Sequence, residues 1–252
     1  MSNNFFCKSP YINLYDSPSF NSKISSQILY GEKFKILLKK KKIIKIKTSY
    51  DNYVGYIKSS NYISKFKPTH KVSVLKSKIF KYPESSTKHR SKKFLSFSSE
   101  IQVLKKKKKF IMFDKNSWLY AKDVKLINQK ENKILKILKL FLNCKYRWGG
   151  KTFDGIDCSA LIQIYYKYNN KYFPRDTKDQ IKYCKLNLKR KNFNKGILIF
   201  WNGHVAVCIN STKNINNKDN KNLVSKLINS KKVRKQIIQL KHDISKPDFG
   251  RE

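Results

Sequence analysis

The sequence predicts an α+β protein: two small β-barrels in tandem, followed by one domain that mixes helices and strands. Three observations lead there. Residues 1–127 hold many short apolar runs rich in Ile, Val, Phe and Tyr, separated by turn residues, and few segments with helical spacing. Within that stretch a pattern recurs at offsets of 64 to 66 residues, which marks an internal repeat. From Asn128 onward the apolar period changes: Ile134, Leu135, Ile137, Leu138, Phe141 and Leu142 fall at three- and four-residue spacing on a charged background, as on one face of a helix.

The repeat justifies the two barrels. Leu14-Tyr15-Asp16-Ser17-Pro18 returns as Ile79-Phe80-Lys81-Tyr82-Pro83, and Lys35-Ile36-Leu37-Leu38 with its lysine run Lys39 to Lys42 returns as Ile101-Gln102-Val103-Leu104 with Lys105 to Lys109. Tyr53-Val54-Gly55-Tyr56-Ile57 returns as Ser117-Trp118-Leu119-Tyr120-Ala121. Each lysine run falls where a strand would end and a hairpin turn, so it reads as a solvated tip or an edge protected from pairing. A strand with a polar-Pro turn, Gly31-Glu32 before an apolar strand, and Gly55-Tyr56 near the end resemble tandem bacterial SH3 domains. The second copy lacks both glycines and rests mainly on the offset. The expected divisions are 1–65, 66–127 and 128–252.

In the third region a helix capped by Asn128 is predicted to end before Trp148-Gly149-Gly150. A second should start near Cys158 and run through Tyr166. Gly196 to Trp201 and His204 to Ile209 read as strands joined by a tight Asn202-Gly203 turn.

Composition narrows the function. With 252 residues, 40% of them hydrophobic and 13% aromatic, the chain can bury real cores. The net charge of +41 comes mostly from Lys spread over the whole length, on a background rich in Ile, Asn, Tyr and Phe. That is the composition an AT-biased genome writes at tolerant surface positions. No nucleic-acid-binding motif accompanies it, so no specific nucleic-acid partner is expected, only a general affinity for anionic polymers. The amino terminus has no basic region followed by an apolar run, and no window approaches the ~18 apolar residues of a membrane helix, so the expected location is the cytoplasm, with no membrane span. Five cysteines (Cys7, Cys144, Cys158, Cys184, Cys208) without paired ligand spacing argue against a disulfide framework and a zinc site. Neither a metal nor a cofactor is expected.

One cysteine stands out. Tyr146-Arg147-Trp148-Gly149-Gly150 precedes Asp154-Gly155-Ile156-Asp157-Cys158-Ser159-Ala160-Leu161, and five of the eight glycines fall between positions 149 and 203. Cys158 sits between two polar neighbours at a helix start, where the helix dipole favours thiolate. It needs a base. His70 lies in a linker, His89 in a loop and His242 in a charged tail, whereas His204 opens an apolar strand directly after Gly203 and is the candidate partner.

These residues resemble the NlpC/p60 family of papain-like cysteine peptidases over about residues 130 to 230. The family pattern Y-x-W-G-G, D-C-S-G-L, L-P-R, G-D-L-v-F-w and G-H-V-g-i is met by Tyr146 to Gly150, Asp157 to Leu161, Phe173-Pro174-Arg175-Asp176, Gly196 to Trp201 and Gly203 to Val207. With the SH3-like repeats in front, the resemblance implies the branch that cleaves short murein peptides between γ-D-glutamate and a diamino acid. It implies Cys158 as nucleophile, His204 as general base and acid, and Asn216 in the place of the third polar residue, twelve positions beyond His204, where it would orient the imidazole. It also implies that Tyr146 lies in the substrate cleft and that the Cys158 amide helps form the oxyanion hole. Asp157 and Ser159 would receive the free amino group of an amino-terminal L-Ala, aided by an acidic residue and a tyrosine of the first barrel, for which Glu32 and Tyr56 or Tyr53 are candidates. Ala160 replaces the usual Gly and favours helicity; Ile197 replaces the usual Asp of its strand. A related papain-like amidase or acyltransferase, or a degenerate protein that only binds anionic wall fragments, are the rival expectations.

Overall fold

The computed structural model describes residues 4–40, 42–58, 62–84, 90–184, 196, 198–201 and 203–207. Its amino-terminal half is built from short strands. β1 (Asn4–Cys7), β2 (Tyr11–Tyr15), β3 (Ile24–Leu29), β4 (Lys33–Lys40), β5 (Ile43–Thr48), β6 (Val54–Lys58) and β7 (Tyr62–Ile63) form one antiparallel sheet in the order β3-β2-β6-β5-β4-β1-β7. Alternation makes this core: Ile44 and Ile46 of β5 and Ile12 and Leu14 of β2 point inward, while Lys45 and Lys47 point out.

The second copy divides its strands between two sheets. β8 (His70–Val72), β9 (Lys76–Phe80), β10 (Arg90–Ser96), β11 (Glu100–Ile101), β12 (Lys105–Lys107), β13 (Phe110–Asp114), β14 (Ser117–Tyr120) and β15 (Val124–Leu126) make a five-stranded sheet β10-β9-β14-β13-β12 and a three-stranded sheet β11-β8-β15. The repeat shows in the pairing. β2 meets β6 at Tyr15 and Tyr56, and β9 meets β14 at Phe80 and Trp118. Both lysine runs fall at hairpins, one between β4 and β5 and the other between β12 and β13.

The third region contains α1 (Ile134–Leu140), the short hairpin of β16 (Lys151–Thr152) and β17 (Gly155–Ile156), α2 (Cys158–Tyr168), α3 (Thr177–Tyr183) and the hairpin of β18 (Leu198–Trp201) and β19 (His204–Val207). The first helix is shorter than its periodicity suggests. Asn128 does not cap it; the helix begins after Lys133, with no side-chain cap. Residues before it are held by the carboxyl end of α2 instead. Asn169 accepts from the Glu131 amide and donates to its carbonyl, and Asn170 donates to the Ile127 carbonyl. Those bonds satisfy the backbone without a helical turn.

Buried on nearly every side, α2 is the centre of this region's core. That core also takes Leu29 from the first sheet and Phe97 from the second, the latter with its ring 4.7 Å from Tyr168 and 5.9 Å from Phe141. Two glycines set how closely the units approach. Gly31 (φ +80°) packs where a Cβ would lie 2.1 Å from the Glu100 carbonyl oxygen, and Gly149 (φ +71°) where one would lie 2.3 Å from that of Ile24.

Candidate active site

The site is organised by the start of α2. Asp157 precedes the helix in extended conformation, and its side chain accepts from the Ala160 amide, a standard cap. Its carboxylate does more. Oδ1 also accepts from the Ser159 hydroxyl at 3.1 Å and from Arg175 Nη1 at 3.0 Å, while Oδ2 takes the Gly149 amide at 2.9 Å and Arg175 Nη2 at 2.6 Å. Arg175 is buried and spends its Nε on Ser26 of the first sheet, 2.9 Å away. One bidentate pair therefore ties together the Trp148-Gly149-Gly150 turn, the helix start, the Pro174-Arg175 segment and β3.

Cys158 is the first residue of α2 and is 4% exposed. Burial pushes its thiol above the ordinary range and the Asp157 charge pushes the same way; the amides of Val205 and Ser159 and the Thr177 hydroxyl, which face the sulfur, work against this without reversing it. The expectation that a helix start would itself favour thiolate is outweighed here by desolvation. His204 opens β19 one residue before the Val205 that faces the sulfur. Burial holds its imidazole below the usual range, partly offset by Asp157. The ring of Tyr146 lies 6.5 Å from the His204 ring at a 30° tilt. Its phenol, raised to about 12 by burial and then by the nearby Cys158 and Asp157, stays protonated and able to donate.

A cleft of about 340 Å³ opens over these groups. Tyr146, Trp148, Asp157, Cys158, Ser159 and Thr177 line it from the third region, and Ser25 of β3 with Asp16, Lys23 and Tyr53 from the loops beside the first sheet's strands line it from the first region. Tyr53 interacts there with Ser25 and Asp176, and burial raises its hydroxyl to about 12.

The structure brings Tyr146, Asp157, Cys158 and Ser159 together at the cleft, with the His204 ring facing Tyr146. It does not bring Glu32 to them. That carboxylate is buried near Lys151 and Lys167 and faces a separate cavity. Tyr56 stays in register opposite Tyr15 with the Lys45 ammonium 5.7 Å from its ring, and Tyr53 takes the cleft position. Asn216 lies outside the described residues. Sequence reasoning missed Asp16, Lys23 and Thr177, none of which has a local signal. Arg175 had one: an arginine at a motif position in a Lys-dominated chain suits bidentate carboxylate pairing. Among the described residues no group of three or more His, Cys, Asp or Glu is placed to hold a metal ion, and no helix is long and apolar enough to cross a membrane.

Residues 143–242 match the NlpC/P60 family, and residues 14–61 match the bacterial dipeptidyl-peptidase SH3 domain. A stretch of 83 residues is 34% identical to Dipeptidyl-peptidase 6 of Lysinibacillus sphaericus, covering 33% of this chain and 30% of that protein. The fold is similar to the crystal structure of an NlpC/P60 family protein from Bacillus cereus, with a TM-score of 0.70 at 19% identity over 82% of this chain and 88% of that one.

Proposed function

We propose that this chain, which carries an NlpC/P60 domain behind a bacterial SH3 domain, is a cysteine peptidase that hydrolyses the γ-D-glutamyl bond to a diamino acid in short murein peptides with a free amino-terminal L-Ala. The observation that carries this reading is the cleft over Cys158, lined on one side by Asp16, Lys23 and Tyr53 of the first region. In this reading the amino end of the peptide lies against those residues.

In this reading Cys158 and His204 act as a pair. His204 takes the Cys158 proton as sulfur attacks the γ-carbonyl, so the cost of a buried thiolate is met only during reaction. The Cys158 amide stabilises the oxyanion, with the Tyr146 phenol as a further donor. Collapse breaks the C–N bond while the His204 imidazolium protonates the leaving amine. Water then attacks the thioester with His204 as base, releasing the γ-carboxylate and the thiol. Asn216 remains the candidate to orient the imidazole. Five donors occupy the Asp157 carboxylate, so in this reading Asp157 shapes the cleft and the substrate ammonium faces Asp16, beside Tyr53. The division at 1–65, 66–127 and 128–252 is part of this reading: one buried cluster is drawn from the first region alone, while Tyr30 packs into the second region's core and Leu29 and Phe97 into the third's.

Incubation with L-Ala-γ-D-Glu-diaminopimelate and its N-acetylated form tests the reading. The wild type should cut the free peptide, acetylation should slow it by about a hundredfold or more, and Cys158→Ala should be inactive. Failure of the wild type on the free peptide, or cleavage by the Cys158→Ala protein, overturns it.

A further inference from the structure

A second cavity, of about 380 Å³, lies where all three regions meet. Glu32, Lys33, Ser49 and Tyr50 line it from the first sheet, Glu100 from the second copy, and Lys167 and Asn170 to Tyr172 from the carboxyl end of α2. This cavity and the cleft are walled at opposite ends of one helix, and the short segment 49–53 gives Tyr50 to one and Tyr53 to the other.

Charge in this cavity is plentiful and loosely matched. Lys167, whose side chain is 3% exposed, reaches Glu100 at 3.0 Å and the Ser98 carbonyl at 3.3 Å. Glu32 is 5% exposed, and its Oε1 makes no hydrogen bond, lying 3.5 Å from the Lys167 ammonium and 3.6 Å from that of Lys151. Lys33 and Lys171 stand exposed at the rim. Behind the wall Lys71 is buried against Tyr168 and held down to about 8, by desolvation first and then by Lys167. Cationic side chains thus outnumber carboxylates around a space in which a buried carboxylate oxygen is held only by two long ion pairs. Tyr50 and Tyr172, rings 6.4 Å apart, supply flat apolar walls, and Tyr50 is fixed by its hydroxyl donating to the Lys171 carbonyl at 2.8 Å.

We infer that this cavity is a binding site for a small acidic amino acid or acidic dipeptide, separate from the cleft at Cys158. The ligand's carboxylates would face Lys33 and Lys171 at the rim, and its ammonium would donate to Glu32. Net negative charge matches the lysine excess, and the volume admits one or two residues.

The test uses the full chain carrying Cys158→Ala, so that no probe is turned over. Titration calorimetry with L-glutamate and with L-alanyl-γ-D-glutamate should give saturable binding that falls with added salt. Lys171→Glu and, separately, Lys33→Glu should weaken it by about tenfold or more, and both positions are exposed, so thermal unfolding should be unchanged. Asp16→Asn, which alters only the cleft, should leave glutamate binding intact. The inference is overturned if no acidic probe saturates, if L-lysine binds as well as L-glutamate, or if Asp16→Asn abolishes binding that both lysine variants retain.

Discussion

Two buried charge clusters stand at the two ends of α2, and they are built differently. At the amino end Asp157 and Arg175 form a bidentate pair in which each carboxylate oxygen has its donors at 2.6 to 3.1 Å. At the carboxyl end Glu32, Lys151, Lys167 and Glu100 are held at 3.0 to 3.6 Å, and Glu32 has an oxygen that accepts no hydrogen bond. A saturated pair fixes geometry, because moving any member breaks several bonds at once. A loose cluster fixes little and leaves capacity for another group. The contrast separates a node that fixes the cleft at Cys158 from one whose ion pairs are long.

The strongest way to break the contrast is to remove one partner at the saturated end. Asp157→Asn should cost about 3–5 kcal/mol in urea unfolding, since Arg175 is left buried without its counter-charge; a loss under about 1 kcal/mol would mean that the pair is not the node described. At the loose end Glu32→Gln should cost less, about 1–3 kcal/mol, because its ion pairs are long and Lys167 keeps Glu100 and the Ser98 carbonyl, while Lys151 loses its carboxylate. If both variants lose the same amount, the distinction between the clusters fails. A smaller effect sharpens the comparison through space. Burial and the Asp157 charge raise the Cys158 thiol, so thiolate is scarcer at neutral pH than in free cysteine and grows as pH rises. Alkylation of Cys158 by iodoacetamide, followed by peptide mapping, should therefore climb about tenfold per pH unit to a higher pH than free cysteine does. Glu32→Gln should leave that profile in place, and a plateau below the free-cysteine range would contradict the electrostatics of the amino-end cluster.

What could be read in advance follows the range of the forces involved. Strands came from alternation within a few residues, as in Ile44, Ile46 and the outward lysines between them, and the start of α2 from Asp157, whose cap bond spans three residues. The helix expected from Asn128 was misplaced because Asn169 and Asn170, some forty positions away, compete for its backbone. Glu32 was assigned to the wrong cavity for a similar reason: a local Gly-Glu pair does not disclose that Lys151 and Lys167 will fold onto it. Asp16 reaches the cleft only through packing between the first sheet and the third region. Tyr53 and Tyr56 lie on the same short stretch, and their register alone decides which one faces the cleft.

Gly149 carries a consequence for how such proteins are inherited. The glycine that follows the motif tryptophan leaves no space for a side chain because Ile24 of the first sheet occupies it, and Gly31 is locked against Glu100 in the same way. A gene rearrangement that exchanged the amino-terminal sheet for another of similar shape would bring a foreign backbone against both positions. The three parts are then not interchangeable cassettes: an exchanged segment would have to carry matching backbone at both glycine contacts, and a chimera assembled at the apparent boundaries should lose the cleft at Cys158 along with the seam.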